Sequence, residues 1–123
     1  MRKHGFTMIE LLVAISILAL LVSIAAPRYF GNMDKAKESV LKEDLYVMRD
    51  AIDKFYSDRD RYPESLDELV KEHYLRKVPI DPFTQSSRSW MVVPAVDRKV
   101  AGIVDVRSGA PNVGRDGTWL RDW

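Results

Sequence analysis

An almost unbroken apolar run, interrupted by one acid near its start, limits what the beginning of this chain can fold into. Over residues 11–26 the only polar side chains are Ser16 and Ser23. Counted from Phe6, the stretch is long enough for a helix of about 20 residues to cross a bilayer. Glu10 lies inside it, and a carboxylate in hydrocarbon is costly unless something pairs with it. The sequence therefore predicts a membrane-spanning helix that carries a functional acid.

Two ordinary interpretations explain part of this segment. A secretory signal peptide would use the basic start at residues 1–4 and a small-residue cleavage site at residues 23–25. Glu10 within the apolar core and Pro27 just after that site argue against it. A simple membrane anchor explains the length, but it explains neither the acid nor the glycine that precedes Phe6.

A third interpretation uses every residue of the segment. A peptidase cuts after Gly5, on the cytoplasmic side, and the apolar helix is kept. Phe6 then becomes the new N-terminus, and its amine lies one helical turn from Glu10.

Residues 5–10, Gly-Phe-Thr-Met-Ile-Glu, resemble the class III signal of type IV pilins and type II secretion pseudopilins. The resemblance implies that a prepilin peptidase cleaves between Gly5 and Phe6 and methylates the Phe6 amine. It also implies that Phe6 and Glu10 take part in subunit assembly, and that Pro27 is the family's helix-bending proline. The absence of cysteine favours the major pseudopilins, because many type IV pilins close their C-terminal region with a disulfide.

The charges indicate orientation and exclude one class of partner. Arg2 and Lys3 precede the apolar helix, so the positive-inside rule keeps the start cytoplasmic. The C-terminal domain is then expected in the periplasm or at the cell exterior. Lysine and arginine total 19 against 18 acids, and this balance gives no indication of nucleic-acid binding.

Beyond Pro27 the pattern predicts that the helix continues as an amphipathic helix to residue 57, with a kink at the proline. Apolar residues recur at spacings of four and three. They are Leu41, Leu45, Met48, Ile52 and Phe55. The opposite, polar face is assigned Lys42, Glu43, Arg49, Asp50, Asp53 and Lys54. We expect the stripe to pack on the chain's own domain.

The remaining residues, 58–123, predict a small globular α/β region. Ser65 and Glu68 form a capping-box pattern before a short second helix. Strands are predicted at 90–93, at 100–106 and, briefly, at 118–120, with a polar turn at 97–99 and a loop at 108–117. At least one of the three tryptophans should pack on the apolar stripe.

No specific sign of catalysis occurs, and an enzyme is not expected. No thiol, phosphate-binding loop or His-x-x-His metal pair is present. The resemblance implies one metal, because major pseudopilins bind calcium in their C-terminal loop. Asp105 and Asp116 are the candidate ligands, but Arg107 and Arg115 in the same loop oppose a cation. Apart from that open calcium site, no cofactor is expected.

The predicted fold is α+β and pilin-like: a long N-terminal helix, half transmembrane and half amphipathic, packed on a small antiparallel sheet. The expected segments are a leader at 1–5, a transmembrane helix at 6–26, its continuation at 27–57 and the globular region at 58–123. The expected function is that of a subunit of a helical filament, most simply the major pseudopilin of a type II secretion system that supports protein export.

Two alternatives stay open. One is a type IV pilin for motility, adhesion or DNA uptake, and the other is a membrane-anchored binding module that does not polymerise. The expected partners are further copies of the chain, a prepilin peptidase, minor pseudopilins, an inner-membrane assembly platform and, before assembly, membrane lipid. Glu10 distinguishes the filament from the lone anchor, which has no use for an acid there.

Overall fold

The computed structural model describes residues 5–97 and 100–123, and it confirms the predicted α+β, pilin-like class. Residues 1–4 of the predicted leader and residues 98–99 of the predicted turn lie outside the described residues. The chain divides into two compact units, 1–34 and 35–123. Its elements are helix α1 (Met8–Arg59), helix α2 (Leu66–Lys71), strand β1 (Met91–Pro94), strand β2 (Ile103–Arg107) and a short 3-10 helix, Leu120–Asp122.

The first unit is the beginning of α1, and its polar side chains find partners within the helix. The Ser16 hydroxyl donates to the carbonyl of Leu12, and the Ser23 hydroxyl donates to that of Leu20, each at 2.7 Å. This is the usual way for a serine to sit in an apolar helix. Pro27 lies inside the helix, and the kink expected there stays a prediction.

In the second unit, the predicted apolar stripe of α1 is buried. All five predicted residues are at most 2% exposed, and Ala51 joins them. They form one core cluster with residues of α2, strand β2, the C-terminal segment and Trp90, which confirms that a tryptophan packs with the stripe. The Trp90 indole N–H donates to the carbonyl of Pro79 at 2.8 Å, so the polar end of this large side chain is also satisfied.

Helix α2 begins where the capping pattern predicts. The backbone N–H of Glu68 donates to the Ser65 hydroxyl at 3.2 Å. The Glu68 carboxylate accepts a hydrogen bond from Arg61 at 2.7 Å, which joins the helix to the end of α1.

The sheet of the described residues has two antiparallel strands, β1 and β2. Val92 lies opposite Val106, and an irregularity follows Val93, where Pro94 lacks a backbone donor. The inner strand is β2, since Ile103 and Val106 are buried whereas Met91 and Val92 are exposed.

The predicted third strand at 118–120 is wrong. Val113 and Trp119 form a single isolated bridge, and the chain then enters the 3-10 helix. A tight turn precedes it, because Gly117 adopts a φ of 86° and the N–H of Gly114 donates to the carbonyl of Thr118 at 2.7 Å. The 3-10 turn aims the Leu120 side chain into the core, where it is fully buried.

Candidate assembly site

The start of α1 holds Glu10 in a reciprocal cap. The backbone N–H of Thr7 donates to the Glu10 carboxylate, and the backbone N–H of Glu10 donates to the Thr7 hydroxyl, both at 3.2 Å. This is the capping box, in which two otherwise unpaired helix donors are satisfied at once. An acid in the first turn also complements the positive end of the helix dipole. Glu10 therefore has partners within its own chain before any other subunit arrives.

Thr7 was not among the predicted site residues. The signal for it was present, because Thr7-Met8-Ile9-Glu10 matches the Thr-x-x-Glu capping pattern.

The predicted cleavage site lies just outside this cap. Gly5 and Phe6 precede the helix and carry no regular secondary structure. Phe6 is 88% exposed, and nothing lies within 4 Å of the position that a Cβ on Gly5 would occupy. Both residues of the predicted cleavage site are thus exposed with respect to the described part of the chain.

The helix that follows exposes its apolar side chains all round. Every large apolar side chain between Phe6 and Ile24 is at least 53% exposed. Among the described residues, α1 is the helix long and apolar enough to cross a membrane. Nothing in the first unit covers these side chains, so their environment must come from lipid or from other protein chains.

A buried carboxylate organises the loop before the sheet. Asp81 is fully buried, and its carboxylate accepts hydrogen bonds from the backbone N–H of Phe83 at 2.8 Å and from the Ser108 hydroxyl. The Ser108 hydroxyl in turn accepts from the N–H of Ala110 at 3.1 Å. The Asp81-Pro82-Phe83 step is thereby tied to the end of β2.

The two calcium candidates lie in different settings. Asp105 accepts from Arg49 Nε at 2.8 Å. One carboxylate oxygen of Asp116 accepts from the hydroxyl of Thr118 at 2.6 Å and from its backbone N–H at 3.0 Å. These Thr118 donors lower the pKa of Asp116 below its ordinary value. Within residues 5–97 and 100–123, no three acidic or histidine side chains converge on a metal position. Calcium binding stays a prediction.

Two polar residues of α1 contact the C-terminal segment, and of these Arg49 is half-buried whereas Lys42 is exposed as the sequence predicted. The Arg49 guanidinium bonds to Asp105 and to the main-chain oxygens of Val106 and Trp123. Lys42 Nζ lies 4.9 Å from the ring centroid of Trp123. The assignment is corrected for Arg49 alone. Both positions border the apolar stripe, where long side chains reach across to the C-terminal segment.

Comparison with known proteins agrees with this arrangement. Residues 1–26 match the family model described as a prokaryotic N-terminal methylation motif. A type II secretion system core protein G from Aeromonas hydrophila is 32% identical over 98 residues, which cover 67% of this chain and 68% of that protein. The chain belongs to the type II secretion system core protein G family, the major pseudopilins.

Two further relatives mark the breadth of the match. The core protein G of Dickeya chrysanthemi is 29% identical over 135 aligned positions, which cover 96% of this chain and 87% of that pseudopilin. A type IV major pilin, PilA of Myxococcus xanthus, is 34% identical over 68 residues, but these are only 31% of its length. No solved structure matches the chain significantly. The pseudopilin match therefore extends well beyond the shared N-terminal helix.

Proposed function

We propose that this pseudopilin is the structural subunit of a helical filament that supports protein export through a type II secretion system or a related apparatus. One observation carries the proposal. The first unit exposes a long apolar helix with an acid at its start, whereas the second unit closes its own core. In such a chain the exposed apolar helix is free to associate with other copies, whereas the second unit is folded without them.

Processing is the first step of this function. A prepilin peptidase cuts the accessible Gly5–Phe6 bond and methylates the new amine. Intact-mass measurement of membrane-extracted protein should then give a chain that begins at Phe6 with one added methyl group. Gly5→Leu should leave the precursor whole, and Gly5→Ala serves as the control, since alanine is still small. A mature chain that starts near Ala26 would instead mean an ordinary signal peptide.

Assembly depends on the charge of Glu10. On insertion scales, an acidic side chain at the centre of a membrane helix raises the free energy of insertion by about 2.5–3.5 kcal/mol. The cap formed with Thr7 reduces this cost in the monomer, but among the described residues it brings no cation to the carboxylate. The amine of Phe6 in a neighbouring subunit supplies one when helices stack with an axial offset. Removing one member of such a buried pair is expected to cost about 3–5 kcal/mol, because the other charge is stranded.

The test is Glu10→Val as the only subunit in the cell. We expect insertion and cleavage to be as good as in the wild type, with a sharp fall in filament mass released by shearing relative to membrane-retained monomer. Glu43→Val is the matched control, because Glu43 is exposed in the second unit and should leave assembly unchanged. A normal filament yield from processed Glu10→Val would contradict charge pairing and favour the simple anchor.

Location and partners follow from the same proposal. The chain is a single-pass membrane protein of the inner membrane, with Arg2 and Lys3 on the cytoplasmic side and the second unit in the periplasm or at the cell exterior. Its partners are other copies of itself, the prepilin peptidase, minor pseudopilins, the inner-membrane assembly platform and lipid. It has no catalytic role of its own. Protease added to spheroplasts should digest the second unit; protection of that unit would reverse the orientation.

A type IV pilus subunit is the second candidate, favoured by the partial match to the Myxococcus pilin. The two candidates differ in phenotype. Deleting the gene should abolish secretion of a periplasmic cargo and leave surface motility, adhesion and DNA uptake intact. The reverse pattern would identify a pilin.

A further inference from the structure

The C-terminal segment, residues 108–123, is attached to α1 by three polar residues of that helix. The Glu38 carboxylate accepts from the backbone N–H of Arg115 at 2.7 Å. Lys42 lies over the Trp123 ring. Arg49 reaches the main-chain oxygen of Trp123 at 2.7 Å. These three residues are spaced by four and seven positions, so they lie along one side of the helix.

Arg49 makes the most extensive of these attachments. Its Nε donates to Asp105 at 2.8 Å, and its Nη2 donates to the main-chain oxygens of Val106 at 3.0 Å and Trp123 at 2.7 Å. One cation therefore gathers three oxygens from β2 and from the C-terminal segment. The side chains of Arg49 and Asp105 are each 34% exposed, so the pair is partly shielded from water. A planar guanidinium with several donors suits this kind of bridging.

The calcium ion that the family implies does not fit these residues. Calcium takes six to eight oxygen ligands. A carboxylate oxygen of Asp105 is already bound to a guanidinium, and a carboxylate oxygen of Asp116 accepts two bonds from Thr118. Arg49 places positive charge next to Asp105 and two main-chain oxygens, and the charge of Lys42 acts on Asp116. An incoming divalent cation would have to displace Arg49 or lie against it.

We infer that Arg49 is the fixed cation that joins the C-terminal segment to α1, and that this domain therefore holds its C-terminal segment without calcium. The arginine gathers oxygens from two parts of the chain, which is also what a bridging metal ion does. The domain's stability is then independent of the calcium concentration around it. The inference concerns folding of the second unit, so it can stand or fall separately from filament function.

The first test uses the full-length chain in detergent micelles. All three tryptophans, Trp90, Trp119 and Trp123, lie in the second unit, so their fluorescence reports the melting of that unit alone. We expect the same Tm in EGTA, in calcium chloride and in magnesium chloride. A ligand present at 100 times its Kd would raise Tm by about 10 °C or more in a domain of this size. A calcium-specific rise of that kind would overturn the inference.

The second test removes the cation. Arg49→Met should lower Tm by about 5–10 °C, since the loss of bonds to a charged group is expected to cost this much in a small domain. Hydrogen exchange should become faster at the amides of residues 112–123, and calcium should not reverse either change. Arg49→Lys keeps the charge but not the several donors of the guanidinium, so its Tm should lie between those of the wild type and Arg49→Met. It is the variant to use if Arg49→Met does not fold.

Arg121→Met is the matched control. Its guanidinium lies over the exposed ring of Trp119, 4.8 Å from the centroid, so the variant removes an equal charge from the same region. It should leave Tm and exchange close to those of the wild type. Unchanged Tm and exchange in Arg49→Met, or an equal loss in Arg121→Met, would overturn the role given to Arg49.

Discussion

The two units of this chain use α1 in opposite ways. In the first unit the large apolar side chains from Phe6 to Ile24 are all more than half exposed. In the second unit the same helix carries a narrow apolar stripe, and α2, the sheet and Trp90 bury it. A helix that is apolar all round needs an apolar environment from outside, whereas an amphipathic helix can be completed by its own domain. The chain therefore contains one unit that is complete and one that is completed by association.

Polar groups differ between the units in the same way. The serines of the first unit bond to the helix's own carbonyls three or four residues away. In the second unit, polar side chains join segments far apart in the sequence, such as Arg49 to Asp105 and Asp81 to Ser108. Among the described residues, polar contacts of this long-range kind, whose loss should unfold a domain, therefore lie in the second unit. The same substitution made once in each unit tests this difference.

Phenylalanine truncation should give the largest contrast. Phe55 is fully buried, and its ring meets that of Tyr74 edge to face, 5.2 Å between centroids. Phe55→Ala should destabilise the domain by about 3–5 kcal/mol, which lowers the tryptophan-monitored Tm by more than about 10 °C. Phe30→Ala, in the same helix but 63% exposed in the first unit, should change Tm by less than about 2 °C. Equal losses would mean that the first unit also contributes to the fold.

Aspartate truncation should give an intermediate contrast. Asp81→Ala strands the donors of Phe83 and Ser108 in a buried place, so we expect a loss of about 2–4 kcal/mol. Asp34→Ala, at an exposed position of the first unit, should cost less than about 0.5 kcal/mol. Urea unfolding followed by tryptophan fluorescence measures both. A small loss in Asp81→Ala would show that water replaces the carboxylate without cost.

Local patterns predicted the parts of the fold that local physics decides. The 3.6-residue period marked Leu41 to Phe55 as the buried stripe, and Ser65 was correctly placed as the cap of α2. The long helix was placed to within two residues at each end, at Met8 and Arg59. Each of these signals lies within one element, so no knowledge of the tertiary structure was needed.

Contacts between distant segments could not be predicted in this way. Arg49 and Asp105 are 56 positions apart, and nothing in the helical pattern distinguishes Arg49 from a solvated arginine. The strand predicted at 118–120 failed because burial of Leu120 outweighed the extended preference of its neighbours, a tertiary effect. The predicted cleavage and assembly residues, Gly5, Phe6 and Glu10, rest on the motif. The structure adds Thr7 to them through the cap.

The smallest effect concerns one carboxylate that the second unit partly desolvates. Burial raises the pKa of Asp44 above its ordinary 3.8, and the negative charges of Asp81 and Glu43 add to the rise. An acid with a raised pKa destabilises the fold above that pKa, and the penalty disappears as pH falls and both folded and unfolded states become protonated. Asp44→Asn should therefore increase the free energy of unfolding at pH 7, by about 0.5 kcal/mol or less because the group is only partly buried, and so raise Tm slightly.

The pH dependence of the gain in Tm distinguishes relief of desolvation from new bonds made by the asparagine amide. The Tm of Asp44→Asn should exceed that of the wild type at pH 7, and the difference should shrink as pH falls and vanish below about pH 3, where the wild-type acid is also neutral. Asp34→Asn removes the same charge from the exposed first unit and should show no such gain. A gain in Asp44→Asn that persists at pH 3 would mean that the amide makes new bonds. The gain in Tm could then not be attributed to the desolvation of Asp44 in the second unit.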